Sequence, residues 1–355
     1  MPDESGRRRV LHRALPGKEI GGVREFIIGP QDDGRRLDRW ICREMPALGM
    51  GQRQKYLRLK RFKIDGSAAQ GDYRLQAGQR VQVYLNDECF EKPRREDPFL
   101  AHFKPQLRIV FEDEHLLLVD KKPGLMVHAD ARGHEHTLLD HLRAYLYQQG
   151  AYDSTDPQSF APALCNRIDR FTGGLVIAAK DEAALKAVNA KIRARQVRKF
   201  YLCIVHGAPD SDSGLLESYL IKPQGAKKTL VCDGPQNGGK LARTRYQVLA
   251  QDRGLSLILC ELLTGYTHQI RAQFAHAGLA LLGDGQYGDP RRDQGFDQGY
   301  QALCAVGLVF DFPPDGGVLS AYAKKAFCVS DVPFARRFFP NIPWRSALES
   351  AMLPQ

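Results

Sequence analysis

Beyond residue 105 the apolar residues of this chain come in short runs, at 109–111, 116–119, 175–179, 200–205, 243–249 and 255–262, that do not alternate with helical segments. Runs of that length read as strands, the first two forming a hairpin around Glu112-Asp113-Glu114. Two stretches there carry a clear helical stripe, and a shorter amphipathic run, Phe274, Ala275 and Ala277, follows Arg271. Thr137 opens one, with Leu138, Leu142, Tyr145 and Leu146 on one face, Asp140 at the capping-box position and Gly150 as its stop. The other starts near Asp181 and turns Leu185, Val188 and Ile192 inward. Strands that outnumber helices without alternating with them predict an α+β fold, a large domain with a mixed, mostly antiparallel sheet flanked by helices and loops.

The first third has a different texture. Residues 1–22 are rich in Arg and Gly and lack periodicity, so they read as a basic tail. A strand at 23–28 and the turn Asp32-Asp33-Gly34 lead to Leu37, Trp40, Ile41 and Met45 at helical spacing, ended by Pro46. A second helix is predicted over 51–61. Strands at 62–64 and around Val81, Val83 and Leu85 then complete a small helix-helix-sheet domain over 23–86. Between residues 51 and 63 stand Arg53, Lys55, Arg58, Lys60, Arg61 and Lys63 with no acid. Residues 87–104, with Pro93 and Pro98 and little periodicity, have the composition of a linker, and 331–355 read as a C-terminal extension.

Charge narrows the partners. The 51 Lys and Arg against 41 Asp and Glu give a net +10, of which residues 1–100 supply 21 basic against 15 acidic. An acidic polymer is the first partner to consider. No apolar run approaches the roughly 20 residues that cross a bilayer. No apolar segment follows Arg7-Arg8-Arg9 to make a secretory signal, and Asp3 and Glu4 argue against a transit peptide. The eight cysteines are scattered without metal-site or framework spacing, as expected of buried reduced thiols in a cytoplasmic protein.

Several motifs fail on context. Gly283, Gly285 and Gly288 have dinucleotide-binding spacing, but Asp289-Pro290-Arg291 cannot start the long helix that motif needs. Gly234, Gly239 and Lys240 suggest a phosphate loop, yet Leu241 stands where Ser or Thr must hold magnesium, and a glycine-rich hairpin tip explains them better. His128, His134, His136 and His141 lack a metal-site pattern and read as a loop of solvated histidines.

Two polar segments remain. Asn166-Arg167-Ile168-Asp169-Arg170-Phe171-Thr172-Gly173-Gly174 runs directly into the strand at 175–179. Cations on either side of Asp169 favour its carboxylate form, and paired glycines admit a bulky ligand, although a turn Asp making a local cap reads the same way. The second segment, Thr264-Gly265-Tyr266-Thr267-His268-Gln269-Ile270-Arg271, packs donors densely and ends on an Arg able to grip a carboxylate or phosphate with two nitrogens. Tyr201, alternating with Cys203 and Val205, reads in isolation as a core aromatic.

Together these residues resemble a known family, the pseudouridine synthases of the RluA type. The family's catalytic segment, His-Arg-Leu-Asp-x-x-Thr-Ser-Gly, is similar to Asn166 through Gly174. Lys121-Lys122-Pro123-Gly124-Leu125-Met126-Val127-His128 resembles the family's opening motif. Lys199-Phe200-Tyr201 with Val205-His206-Gly207 resembles its tyrosine motif, and Thr264 to Arg271 with Gly283-Asp284 and Tyr287-Gly288 its C-terminal signature. The four blocks stand in the family's order, and residues 34–86 resemble the RNA-binding module named for ribosomal protein S-four. The chain departs from the pattern at Asn166 (usually His), Gly173 (Ser), Ala129 (Pro) and Tyr266 (Arg).

The resemblance implies a catalytic domain over 105–330 that isomerises specific uridines in RNA to pseudouridine, without cofactor or metal. Asp169 would act at the ribose, as nucleophile on the anomeric carbon or as base toward the neighbouring position. Arg271 would pair with it, and Tyr201 would stack on the extruded uracil and help remove the proton from the carbon that becomes glycosidic. Arg167, Thr172, His268 and Gln269 would contact the substrate or shape its pocket, while Arg53, Lys55, Arg58, Lys60 and Arg61 would grip RNA. Large-subunit ribosomal RNA is the expected substrate and transfer RNA the runner-up, for a monomer that uses no membrane and no nucleotide cofactor. The competing reading is a catalytically inactive RNA-binding or ribosome-assembly protein.

Overall fold

The structure, a computed structural model, describes residues 23–45, 48, 50–85, 89–90, 97–129, 136–156, 158–232, 234–235 and 238–353. The basic tail expected at 1–22 lies outside these residues, as do His134 and positions 87–88 and 91–96 of the expected linker. The chain divides into two compact units, residues 1–95 and 96–355.

The first unit runs β1 (Arg24–Ile27), α1 (Leu37–Glu44), α2 (Met50–Arg58), β2 (Phe62–Ile64), β3 (Ser67–Ala68) and β4 (Arg80–Val83). Its strands pair antiparallel in the order β1-β4-β2-β3. The helical spacing of Leu37, Trp40 and Ile41 puts all three on one face of α1, where they are fully buried against Phe62, Val81 and Val83. The second helix is shorter than its charge pattern suggested. It ends at Arg58, and Lys60 takes a positive φ of 55° in the turn that leads Arg61 into β2.

The second unit continues with α3 (Pro98–His102), β5 (Ile109–Glu112), β6 (Leu116–Lys121), α4 (Leu138–Gln148), β7 (Ala163–Leu164), β8 (Gly173–Ala179), α5 (Glu182–Arg193), β9 (Val197–His206) and β10 (Ser213–Ile221). Then come β11 (Leu230–Cys232), β12 (Lys240–Asp252), β13 (Leu255–Leu262), α6 (Gln269–His276), β14 (Leu303–Phe310), β15 (Ala326–Cys328), α7 (Pro333–Phe338) and α8 (Trp344–Met352). The strands form one 11-stranded sheet among the described residues, ordered β11-β10-β12-β13-β9-β14-β8-β6-β5, with β15 beside β14 and β7 beside β8. The β14–β8 pairing is parallel and the others antiparallel, so the α+β architecture with a mixed, mostly antiparallel sheet holds.

Side chains alternate across this sheet and split the core in two. Leu118, Ile177, Leu202, Leu257 and Leu308 face α5, α7 and α8, whereas Val119, Val176, Tyr201, Cys203 and Ile258 face α4 and α6. Helix α4 begins with the expected capping box, in which the Thr137 hydroxyl accepts from the Asp140 N–H and the Asp140 carboxylate accepts from the Thr137 N–H.

Four sequence expectations are corrected. Residues 98–102, read as linker, form α3, because Asp97 caps its first N–H groups and the Gln148 amide donates to the Leu100 and Phe103 carbonyls. The C-terminal residues are no appendage: Leu348 and Met352 of α8 are buried in the core against Gly307, and Arg198 donates to the Ala351 carbonyl at 2.8 Å. The glycines near 234–239 do not tip a hairpin, since β11 and β12 lie on opposite sides of β10. The expectation of solvated histidines holds only in part: His128 and His136 are exposed, but His136 also stacks on Phe103 at 5.2 Å and His141 Nδ1 accepts the Gln106 N–H.

Candidate active site

Asp169 stands on the loop between β7 and β8, and backbone contacts fix that loop from both ends. The Thr172 N–H donates to the Asp169 carbonyl at 3.1 Å, and the Arg170 carbonyl accepts from the Gly124 N–H and from Lys121 Nζ, both at 2.9 Å. Gly174 makes the final bend with φ +105°, pressed so closely on Ala305 of β14 that a Cβ would collide with the Ala305 carbonyl. Asn166, which replaces the usual family residue, accepts the Ile177 N–H through Oδ1 and so anchors the loop to β8.

Arg271 comes from the first turn of α6. Its Nη1 donates to Asp169 Oδ2 at 3.0 Å, while Nε and Nη2 donate to the two oxygens of Asp284 at 2.7 and 2.9 Å. Nη2 also reaches Gln286 Oε1 at 2.9 Å. The Arg271 and Asp284 side chains are 6% and 1% exposed, against 25% for Asp169, so the charge pair opens to solvent only on the Asp169 side. Burial alone would lower the Arg271 guanidinium, but the Asp284 and Asp169 carboxylates outweigh it and hold it above its ordinary value.

Tyr201, on β9, pairs with Cys260 of β13 and Ala305 of β14 and faces the same cavity as Asp169. That cavity, of about 260 Å³, adjoins a wider opening of about 620 Å³. Asp169, Arg167, His268 and Arg271 line both. Together they are of the size that holds a small ligand, roughly 300–1,000 Å³. Among the described residues no group of three His, Cys, Asp or Glu could hold a metal ion.

The comparisons with known proteins agree on what such a site belongs to. Residues 115–276 match the family model described as RNA pseudouridylate synthase. The chain is 36% identical over 229 residues to ribosomal large subunit pseudouridine synthase D of Zymomonas mobilis, covering 62% of this chain and 70% of that protein. The chain belongs to the RNA pseudouridylate synthase family. It is also 26% identical to ribosomal large subunit pseudouridine synthase C of Salmonella typhimurium, over 85% of this chain and 92% of that one. The fold is shared with the solved structure of human RNA pseudouridylate synthase domain containing 1, at a TM-score of 0.54 and 21% identity, over 70% of this chain and 97% of that one. The protein is thus an RNA pseudouridine synthase, which isomerises uridine in RNA.

The other residues singled out in the sequence of this synthase divide by what they touch. Arg167 is exposed at the mouth of the cavity and makes no hydrogen bond or ion pair among the described residues. His268 stands 3.7 Å from Asp169 through Nε2, and its Nδ1 meets the Tyr287 hydroxyl at 2.9 Å. Burial pushes the His268 imidazole down, against the pull of Asp169. Thr172 is buried, its Oγ1 3.4 Å from Gln301 Nε2. Gln269 is buried too: its oxygen accepts from Thr264 and Tyr266 and its nitrogen donates to Arg243 and Thr244, so the amide is engaged in holding the loop. On the small unit, Lys55, Arg58, Lys60 and Arg61 are exposed, whereas Arg53 Nε donates to the Leu48 carbonyl.

Sequence reasoning assigned no role to Asp284 or Lys121. Asp284 had a weak signal, a carboxylate set directly after the apolar Ala280-Leu281-Leu282 and Gly283. Lys121 had a stronger one, a lysine that ends the apolar run of β6, and it is 1% exposed. Its ammonium donates to the carbonyls of Lys122, Leu125 and Arg170. Burial pushes it down to about 8, partly opposed by the negative charge of Asp169.

Proposed function

We propose that this synthase modifies large-subunit ribosomal RNA and that Asp169 is the group acting at the ribose of the target uridine. The carrying observation is the Asp169 carboxylate held at 3.0 Å by a guanidinium that Asp284 locks in place, on a cavity shared with Tyr201. The reaction breaks the bond between the uracil ring nitrogen and ribose, turns the base, and rejoins it through a ring carbon. A carboxylate aimed by Arg271 at 3.0 Å serves the first step as nucleophile or base. Tyr201 supplies a planar surface for the extruded uracil. Burial and the charge of Asp169 push its phenol up, so the hydroxyl keeps its proton, which favours stacking and proton sharing over action as a phenolate.

The substrate assignment draws on relatives named as large-subunit synthases C and D, and on the resemblance of the small unit to an RNA-binding module. Exposed Lys55, Arg58, Lys60 and Arg61 suit contacts to phosphate, which position an RNA without reading its sequence. Exposed Arg167 suits the gap left when the target base leaves its stack. Among the described residues no helix is long and apolar enough to cross a membrane.

The test is tritium release from RNA labelled at the uridine carbon that becomes glycosidic, with wild type and Asp169→Ala on unmodified ribosomal and transfer RNA. Release by wild type alone, and from ribosomal RNA above transfer RNA, is expected. Release undiminished in Asp169→Ala overturns the residue assignment, and release from transfer RNA only overturns the substrate.

A further inference from the structure

Phe171 and Tyr300 come from loops far apart in sequence, yet their rings lie nearly parallel, with centroids 5.9 Å apart and planes inclined by 14°. They are 41% and 37% exposed, and neither belongs to a core cluster. Both line the wider opening of the active site, where Asp169, Arg167 and Lys222 also stand. Phe171 is two residues from Asp169, which places their Cα atoms within about 7 Å of each other.

Both rings are set on fixed backbone. The Phe171 loop is the one bound through the Arg170 carbonyl to Gly124 and Lys121, and the Arg170 guanidinium lies 5.2 Å from the Phe171 ring centre. Tyr300 is held where its carbonyl accepts from Gln298 Nε2 at 2.8 Å and packs on Gly283, at φ +74°, a position where a Cβ would collide with it. Exposed, pre-set aromatic faces beside cations are what an unpaired nucleobase and its phosphates require: every base has a π face, and Arg and Lys take the backbone charge.

We propose that Phe171 and Tyr300 form a stacking platform for the unpaired nucleobase next to the target uridine. The platform rests on the reading of this protein as an RNA-acting synthase and adds how it grips the single-stranded neighbour of its target. Base stacking of this kind is lost with the ring, and each ring removed is expected to weaken binding about tenfold.

The experiment uses the full chain and a ten-nucleotide single-stranded RNA carrying one uridine, with 2-aminopurine on its 5′ or its 3′ side. Wild type is expected to quench the fluorescence at one of the two positions. Phe171→Leu and Tyr300→Leu are expected to lose that quenching and to bind about tenfold more weakly, while Phe171→Trp retains it. The same strand annealed to its complement is expected to show no quenching. Because both rings are more than a third exposed, unchanged melting temperatures are expected for the leucine variants. Equal quenching and affinity in wild type and both leucine variants, or equal quenching of the duplex, overturns the platform. Tritium release in the same preparations separates the two readings: release without quenching defeats the platform alone, and quenching without release from any RNA defeats the substrate reading alone.

Discussion

Arg271 offers Asp169 a single nitrogen, Nη1 at 3.0 Å, because Asp284 holds Nε and Nη2 in a bidentate grip from the buried side. A guanidinium free to turn would pair with Asp169 through two nitrogens and cover both carboxylate oxygens. The grip of Asp284 therefore does two things, compensating a buried cation and leaving Asp169 Oδ1 outside the pairing. The Asp284→Asn variant is expected to lose about 2 kcal/mol of stability, since a hydrogen bond to a buried charge is weakened. Its turnover is expected to fall at least about tenfold with little change in KM. Urea unfolding and single-turnover tritium release measure the two effects, and an unchanged rate would remove the positioning role from Asp284.

Asp169→Asn keeps the volume of the side chain and removes its charge. Turnover is expected to fall by at least about a thousandfold, as for other residues that act covalently or as the base. RNA affinity is expected to stay within about twofold, because it rests on phosphate contacts. Filter binding and turnover on the same preparation give both values.

Replacing Tyr201 separates its ring from its hydroxyl. Tyr201→Phe keeps the stacking surface, so KM is expected to hold while kcat falls by about a hundredfold or more if the hydroxyl shares the proton that leaves the new glycosidic carbon. Tyr201→Leu is expected to raise KM as well, by about tenfold. Equal kinetics for wild type and Tyr201→Phe would confine the residue to stacking.

Gly174 is the position in the Asp169 loop least able to accept a side chain. With φ +105° and the Ala305 backbone against it, Gly174→Ala is expected to cost on the order of 3 kcal/mol and to lower activity by displacing the turn. Thermal melts of the two proteins decide it. The neighbouring Gly173→Ala meets only Pro123 and the Lys121 carbonyl at 3.3 to 3.4 Å and is expected to cost far less.

Lys121 imposes a pH dependence on stability. Burial holds its ammonium down to about 8, below the ordinary 10.5, so between those values the unfolded chain binds more protons than the folded one. Stability from this residue therefore rises with pH across that window, by about 2 kcal/mol between pH 8 and 10. Lys121→Met removes the titration. The stability of wild type relative to this variant, from urea unfolding, is expected to increase from pH 8 to 10, and a constant difference would contradict the burial effect.

Local patterns and tertiary contacts divided the information unevenly. The period of Leu37, Trp40 and Ile41, the Thr137–Asp140 capping box and the apolar run before Ala179 are set by residues within one or two turns of each other, and they were legible for that reason. So was the presence of Asp169, Tyr201 and Arg271 in polar or strand segments typed by their immediate neighbours. The sequence by itself thus determined these elements, the α+β class and the family, but not α3, α8 or the strands β10 and β14. What it could not determine is which distant side chains complete one another. Arg271 and Asp169 are 102 positions apart, and the insertion of β14 between β9 and β8 creates both the Gly174–Ala305 contact and the pairing of Ala305 with Tyr201. Asp284 behind Arg271, Lys121 under the Asp169 loop, and Tyr300 beside Phe171 arise only once the sheet has closed these separations, because hydrogen bonding, burial and stacking act over a few ångströms whatever the distance along the chain.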